Sequence, residues 1–145
     1  MDENIFHNFE YIRLGFNIWV RKRYSQHWER DYKIAYEVAL QSYQKIKDID
    51  DVNIKDENGR SLLHYFLDLY FSTSHRTEFV NAGFFIERDI INLINNPSFD
   101  IKYKLEGLDY VSYVKPEYVK CVDEARKIFS SLSKKVGRRF NRNFM

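Results

Sequence analysis

Residues 51–64 read Asp-Val-Asn-Ile-Lys-Asp-Glu-Asn-Gly-Arg-Ser-Leu-Leu-His. The Asn58-Gly59 dipeptide takes positive φ at low cost, so we expect the chain to turn there. Ser61 follows, and its side chain can accept a hydrogen bond from a free backbone N–H at a helix start. The apolar residues beyond it share one helical face: Leu62, Phe66 and Leu69. The stretch therefore predicts a turn followed by a capped amphipathic helix.

This pattern resembles the opening of an ankyrin repeat, in which a glycine-tipped turn precedes a T-P-L-H-x-A motif and two antiparallel helices. The motif positions Thr, Pro, Leu, His and Ala are filled by Ser61, Leu62, Leu63, His64 and Phe66. The resemblance implies stacked helix pairs, and it gives His64 a structural role, bonded to backbone between neighbouring repeats. Phe66 is bulkier than alanine, so we expect the neighbouring helix to be more distant or smaller there.

A weaker copy of the pattern lies at residues 99–113. Three positions correspond: Gly107 to Gly59, Asp109 to Ser61, and Ser112 to His64. The two glycines are 48 residues apart, whereas ankyrin repeats recur at about 33 residues. We assign the extra residues to the polar stretch from Ser72 to Gly83. The alternative is a helical bundle with one turn that only looks like ankyrin.

Apolar residues elsewhere also recur at helical spacing. Two N-terminal stripes predict a helical hairpin: Ile5, Phe9, Ile12, Phe16 and Trp19, then Tyr32, Tyr36, Ala39, Tyr43 and Ile46. A third predicted helix contains Phe79 and ends near Pro97, and Pro116 is predicted to start the last helix. We therefore predict a mainly all-α fold of stacked antiparallel helix pairs, ankyrin-like, with an N-terminal helical hairpin. The predicted domain spans residues 1–133, and a basic tail spans 134–145.

Composition excludes several classes of protein. The single cysteine, Cys121, excludes an internal disulfide and a cysteine-based zinc site, and we expect it to be a buried apolar residue. The four histidines form no HExxH motif or close pair, so no metal or cofactor is predicted. We see no signal peptide, and no apolar run approaches the ~20 residues that span a bilayer. The expected localisation is cytoplasmic.

Catalytic residues are not predicted, but one hypothesis of enzymatic activity stays open. Arg21 and His27 resemble the Arg-x4–6-His pattern of the all-helical HEPN-type ribonucleases, in which His acts as acid or base. Nucleic-acid binding is a second alternative. Seven basic residues and no acid lie between Arg126 and Met145, although the whole chain carries a net charge of only +2. Such a tail is expected to bind nucleic acid weakly.

The ankyrin resemblance implies instead that the chain binds another protein without catalysing a reaction. In that family the turn tips and first helices contact partners. The implied partner-binding residues are Asn53, Lys55, Asp56, Glu57 and Arg60 in the first loop, with Asp100, Lys102, Tyr103, Lys104 and Glu106 in the second. A small chain of this kind also resembles bacterial immunity proteins, inhibitors that cover a toxin domain.

Overall fold

The computed structural model describes residues 4–23 and 30–137, and these are mainly helical. The helices are α1 (His7–Lys22), α2 (Arg30–Lys47), α3 (Leu62–Phe71), α4 (Ile86–Ile94), α5 (Tyr110–Tyr118) and α6 (Val122–Val136), with a 3-10 helix at Arg76–Glu78. The described ranges contain no β-strand, and the extended pairing consists of isolated bridges at Lys55–Ser61 and Leu105–Leu108. The all-α fold class is confirmed. No helix in these ranges is long and apolar enough to cross a membrane.

The chain divides into two compact units. The N-terminal unit comprises residues 1–51 and 73–85, and the C-terminal unit comprises residues 52–72 and 86–145. The first unit contains α1 and α2, and the second contains α3 to α6. The C-terminal unit therefore holds both segments that resemble ankyrin repeats.

In the N-terminal unit, α1 and α2 form an antiparallel hairpin. Lys22, the last residue of α1, lies with Nζ 4.9 Å from the ring centre of Tyr32 near the start of α2. Gly15, in the middle of α1, faces Ala35 and Ala39 of α2. A Cβ atom on Gly15 would lie 2.3 Å from the Cβ of Ala39, so the close approach of the helices requires glycine.

The segment 73–85 covers one side of this hairpin. The ring of Phe16 stacks on Phe79 at 4.2 Å between centres, and Phe84 meets the same ring edge-on at 6.2 Å. The prediction that Phe79 belongs to a long helix is wrong, since α4 begins at Ile86. Gly83 has φ +91°, which is incompatible with a right-handed helix, so the chain turns before α4 starts.

In the C-terminal unit, α3 packs against α4 and α5, and α6 packs against α4 and α5. The core comes from all four helices and includes the fully buried side chains of Leu63, Leu67, Ile90, Ile94, Tyr110, Tyr118, Ile128 and Leu132. The ankyrin-like stacking of these helices stays a prediction.

The end of the C-terminal unit differs from the prediction in two details. Pro116 lies inside α5 and does not start the last helix, which begins at Val122. Proline lacks the N–H that continues the helical ladder, and α5 ends two residues later at Tyr118. Cys121 is half-buried at the start of α6 and is not a core residue, and its Sγ lies 3.3 Å from the carbonyl oxygen of Glu117.

Candidate functional site

The first loop of the C-terminal unit is organised by the carboxylate of Asp56. One oxygen accepts the backbone N–H groups of Asn58 and Arg60, each at 2.9 Å, and Gly59 between them has φ +82°. The other oxygen accepts the hydroxyl of Tyr65 at 2.5 Å. Desolvation opposes ionisation, but these hydrogen bonds lower the pKa of Asp56 below its ordinary value. Asp56 therefore holds the turn in shape.

Ser61 starts α3 with a reciprocal cap. Its side-chain oxygen accepts the N–H of His64 at 3.4 Å, and its own N–H donates to Nδ1 of His64 at 3.0 Å. Histidine thus takes the place that Glu or Gln holds in a capping box. Because Nδ1 accepts this bond, the neutral ring carries its proton on Nε2. His64 is 1% exposed, and burial, with the charge of Arg60, lowers its pKa to about 4.

The same cap is tied to the start of α5. The hydroxyl of Tyr110 lies 2.6 Å from Oγ of Ser61, and the rings of Tyr110 and His64 are 4.7 Å apart. Burial raises the pKa of Tyr110 to about 12, so its hydroxyl stays protonated. Tyr113 adds an edge-on contact, with its ring centre 4.8 Å from that of His64. These contacts fix the entrance of α3 against that of α5.

The second loop ends in a tighter turn. Glu106 and Gly107 have φ +52° and +80°, and Leu105 and Leu108 exchange two backbone hydrogen bonds of 3.0 and 2.9 Å. Positive φ at both central positions is the signature of a two-residue type I′ hairpin turn. Asp109 then caps α5, since its side chain accepts the backbone N–H three residues further on at 2.8 Å.

Side chains join the two loops, residues 52–60 and 98–108, into one area that we call the loop surface. The amide of Asn53 donates to the carbonyl of Ser98 at 2.7 Å, and its oxygen accepts the N–H of Asp100 at 2.8 Å. Asn53 of the first loop thus makes hydrogen bonds to two backbone groups of the second loop. These two bonds place the loops side by side.

Tyr103 makes the second connection between the loops. Its hydroxyl donates to the carbonyl of Gly59 at 2.6 Å. The ammonium of Lys55 lies 4.3 Å from the centre of the same ring, within cation–π range. The tip of the first turn is therefore held by an aromatic side chain of the second loop.

All ten residues predicted to bind a partner lie on the loop surface, and they divide into two groups. Four side chains build the loops through the contacts of this unit: Asn53, Asp56, Arg60 and Tyr103. Six charged residues are exposed: Lys55, Glu57, Asp100, Lys102, Lys104 and Glu106. Residues of the second group can be replaced with the hydrogen bonds between the loops left in place. Lys55 differs from the other five, because it also contacts the ring of Tyr103.

Sequence reasoning missed a polar contact and a shallow cavity beside the loop surface. Asp68 of α3 forms an ion pair with Arg60 and accepts the hydroxyl of Tyr113 at 2.6 Å. The cavity has a volume of about 170 Å³ and is lined by Leu67, Asp68, Phe71, Tyr113, Val114 and Glu117. The sequence did carry one signal, because Asp68 is the sole charged residue in the mainly apolar α3.

The alternative readings depend on parts of the chain that the structure does not describe. Arg21 is exposed near the end of α1, whereas His27 lies outside the described residues. Residues 138–145 of the basic tail also lie outside them. Among the residues that are described, no group of three or more His, Cys, Asp or Glu side chains could hold a metal ion.

Comparison of the chain with protein-family models, with curated proteins and with solved structures finds no match.

Proposed function

We propose that this chain is a non-catalytic protein-binding module that presents the loop surface to a partner protein. The observation that carries the proposal is that hydrogen bonds from Asn53 and Tyr103 join the two loops. A surface that is ordered before binding loses less conformational entropy when it binds. Loops held in one arrangement by buried caps and side-chain bonds are therefore suited to recognition.

The Ser61–His64 pair of the C-terminal unit supports a structural role for these two residues. Ser61 and His64 resemble a nucleophile and base by residue type, but both are nearly completely buried. Nδ1 of His64 is also occupied by a backbone N–H. A catalytic pair has to reach a substrate. This arrangement supports a binding function for the unit.

The charges on the loop surface favour protein over nucleic acid. Three exposed bases are mixed with three exposed acids: Lys55, Lys102 and Lys104, with Glu57, Asp100 and Glu106. A surface that follows a phosphate backbone needs an excess of positive charge. Mixed charges instead give specificity towards a protein surface of complementary pattern. Among protein partners we propose a toxin domain, which the chain would cover as an immunity protein or inhibitor.

The test is capture of the partner from a lysate of the source organism, identification by mass spectrometry, and titration of the two purified proteins. We expect a complex that persists at about 150 mM salt. Lys102→Glu combined with Lys104→Glu should weaken it by about tenfold or more. Lys134→Glu combined with Lys135→Glu is the matched control, because these exposed α6 lysines give the same change of charge.

Two outcomes would contradict the proposal. One is a complex that is lost in the α6 variant and retained in the loop variant, with unchanged helicity in both. The other is reproducible RNA cleavage by the purified chain that disappears with His27→Ala. For the toxin proposal, the captured partner has to be a toxin whose activity the chain inhibits at equimolar concentration.

A further inference from the structure

The side of the α1–α2 hairpin that faces away from Phe79 and Phe84 is apolar. On α1, Gly15 points at α2, while Ile12 and Phe16 turn to the buried side. At helical spacing, the opposite side carries Tyr11, Leu14 and Ile18. Tyr11 and Leu14 are 45% and 47% exposed, and Ile18 is half-buried.

Helix α2, like α1, has a buried side and an exposed apolar side. Ala39 points at α1, and Tyr43 meets Phe84 edge-on at 5.7 Å between ring centres. Ile34 and Val38 lie on the opposite side and are 45% and 39% exposed. Because the helices are antiparallel neighbours, the two opposite sides merge into one surface. We call it the hairpin face, formed by Tyr11, Leu14, Ile18, Ile34 and Val38.

Charged side chains mark both ends of the hairpin face. On α1, exposed Glu10, which also forms an ion pair with Arg13 on the same helix, and exposed Arg21 lie towards the two ends. On α2, exposed Asp31 and Lys45 lie towards the two ends. The antiparallel arrangement brings Arg21 to the end where Asp31 lies, and Glu10 to the end where Lys45 lies. At the ends of the hairpin face, each helix therefore places one acid at one end and one base at the other, and the acid of α1 lies at the same end as the base of α2.

This pattern is complementary to itself under two-fold symmetry. If α1 of one copy lies antiparallel on α1 of another, Glu10 of each copy approaches Arg21 of the other. The same rotation brings Asp31 of each α2 towards Lys45 of the other. Apolar residues then meet at the centre, with Leu14 and Val38 nearest the axis. Self-complementarity of one patch is what a two-fold interface requires.

The hairpin face also has a cavity that could receive a side chain of the second copy. A shallow cavity of about 160 Å³ lies at the Arg21 end, lined by Ile18, Arg21, Lys22 and Tyr32. Tyr11 lies on the other side of Leu14 from Ile18. In the two-fold arrangement Tyr11 of one copy therefore falls opposite Ile18 of the other, at this cavity. We propose that a second copy of this chain covers the hairpin face, giving a homodimer in which four antiparallel helices pack together.

The size of the face sets the expected affinity. The 16 residues of α1 extend over about 24 Å, and two neighbouring helices are about 20 Å wide. The projected area of roughly 500 Å² per copy is below the ~800 Å² per partner of a standard interface. We expect a weak dimer, with a dissociation constant in the micromolar range.

Sedimentation velocity of the full chain, over about 10 µM to 1 mM, tests the proposal. A concentration-dependent dimer is expected, and Leu14→Glu and Val38→Glu should each weaken it by about tenfold or more. Val80→Glu is the matched control, because Val80 is 59% exposed in the same unit but belongs to the segment that covers the other side of the hairpin. This control should dimerise like the unmodified chain.

A charge exchange tests the geometry. Arg21→Glu should weaken the dimer a few-fold, and adding Glu10→Lys should restore it. A chain that stays monomeric over the whole range would overturn the proposal, whatever else binds the face. So would Leu14→Glu and Val38→Glu variants that keep native helicity and dimerise as tightly as Val80→Glu. If both apolar variants are monomeric but adding Glu10→Lys to Arg21→Glu does not restore the dimer, the antiparallel pairing of α1 with α1 is wrong.

Discussion

The two turns that precede α3 and α5 start from similar sequences and are stabilised in different ways. In the first turn, half-buried Asp56 binds the backbone, and buried Ser61 and His64 cap α3 beside Tyr110. The second is a two-residue hairpin turn followed by a cap from Asp109. Similar local sequences can therefore form different backbone turns and different caps.

Removing the two caps should give the largest difference. Ser61→Ala deletes a cap and leaves the buried hydroxyl of Tyr110 without its serine partner, so we expect a loss of about 3 kcal/mol in the free energy of unfolding. Asp109→Ala deletes a cap at a half-buried position and should cost about 1 kcal/mol. Urea denaturation followed by circular dichroism measures both. Equal losses would mean that the Tyr110 contact adds nothing.

The turn glycines allow a second comparison. Gly59 and Gly107 have φ +82° and +80°, so valine is strained at both. A Cβ on Gly59 would also lie 3.0 Å from the hydroxyl of Tyr103, whereas at Gly107 no described atom lies within 4 Å. We expect Gly59→Val to cost about 2–3 kcal/mol and Gly107→Val about 1–2 kcal/mol. Thermal melts that rank the two variants in reverse order would contradict this account.

His64 makes the first turn sensitive to pH. Its pKa is lowered from an ordinary 6.5 to about 4, so between these values the unfolded chain binds a proton that the folded chain does not. The stabilising effect of the neutral ring is therefore complete above pH 6.5 and is lost as the pH falls towards 4. Between pH 7 and pH 4.5 the loss should be about 2 kcal/mol.

Denaturation curves at several pH values measure this loss. His64→Gln keeps an acceptor for the N–H of Ser61 and removes the titration, so its stability should fall less over that range. His75→Gln is the control, because His75 is exposed and outside the C-terminal unit. The prediction is contradicted if the dependence of the free energy of unfolding on pH is unchanged in His64→Gln and reduced in His75→Gln.

The smallest predicted effect concerns the bond between the loops. Tyr103→Phe removes the hydroxyl that donates to Gly59 and should cost about 1 kcal/mol. Tyr113→Phe removes a more exposed bond to Asp68 and should cost about 0.5 kcal/mol or less. Hydrogen exchange of the amides in residues 56–60 provides a local readout. Faster exchange there is expected in the Tyr103 variant and not in the Tyr113 variant.

Some of the fold was predictable because it depends on neighbours in sequence. The turn at Asn58-Gly59, the cap at Ser61 and the two N-terminal helices follow from residue type and helical spacing. The helix expected at Phe79 was wrong, because apolar spacing alone ignored the turn that Gly83 permits. The position of Pro116 was also predicted wrongly: a proline favours a helix start, but Pro116 lies exposed near the end of α5.

The two loops were predictable from the sequence, whereas the contacts between them were not. The ten residues predicted to bind a partner lie on these two loops, and the structure brings the loops together. It also assigns Asn53 and Asp56 to holding the loops, which residue type does not reveal. Asp68 and Tyr113 escaped the prediction because they meet across 45 residues of sequence.

The helical class, the two turns and the caps at Ser61 and Asp109 follow from the amino-acid sequence, since these features depend on backbone conformations that single residues prefer. Which polar groups are buried, and what they bond, depends on contacts between distant parts of the chain. Tyr110 meets Ser61 across 49 residues, and Gly15 meets Ala39 on another helix. Such contacts form when packing excludes water, and no local propensity specifies them.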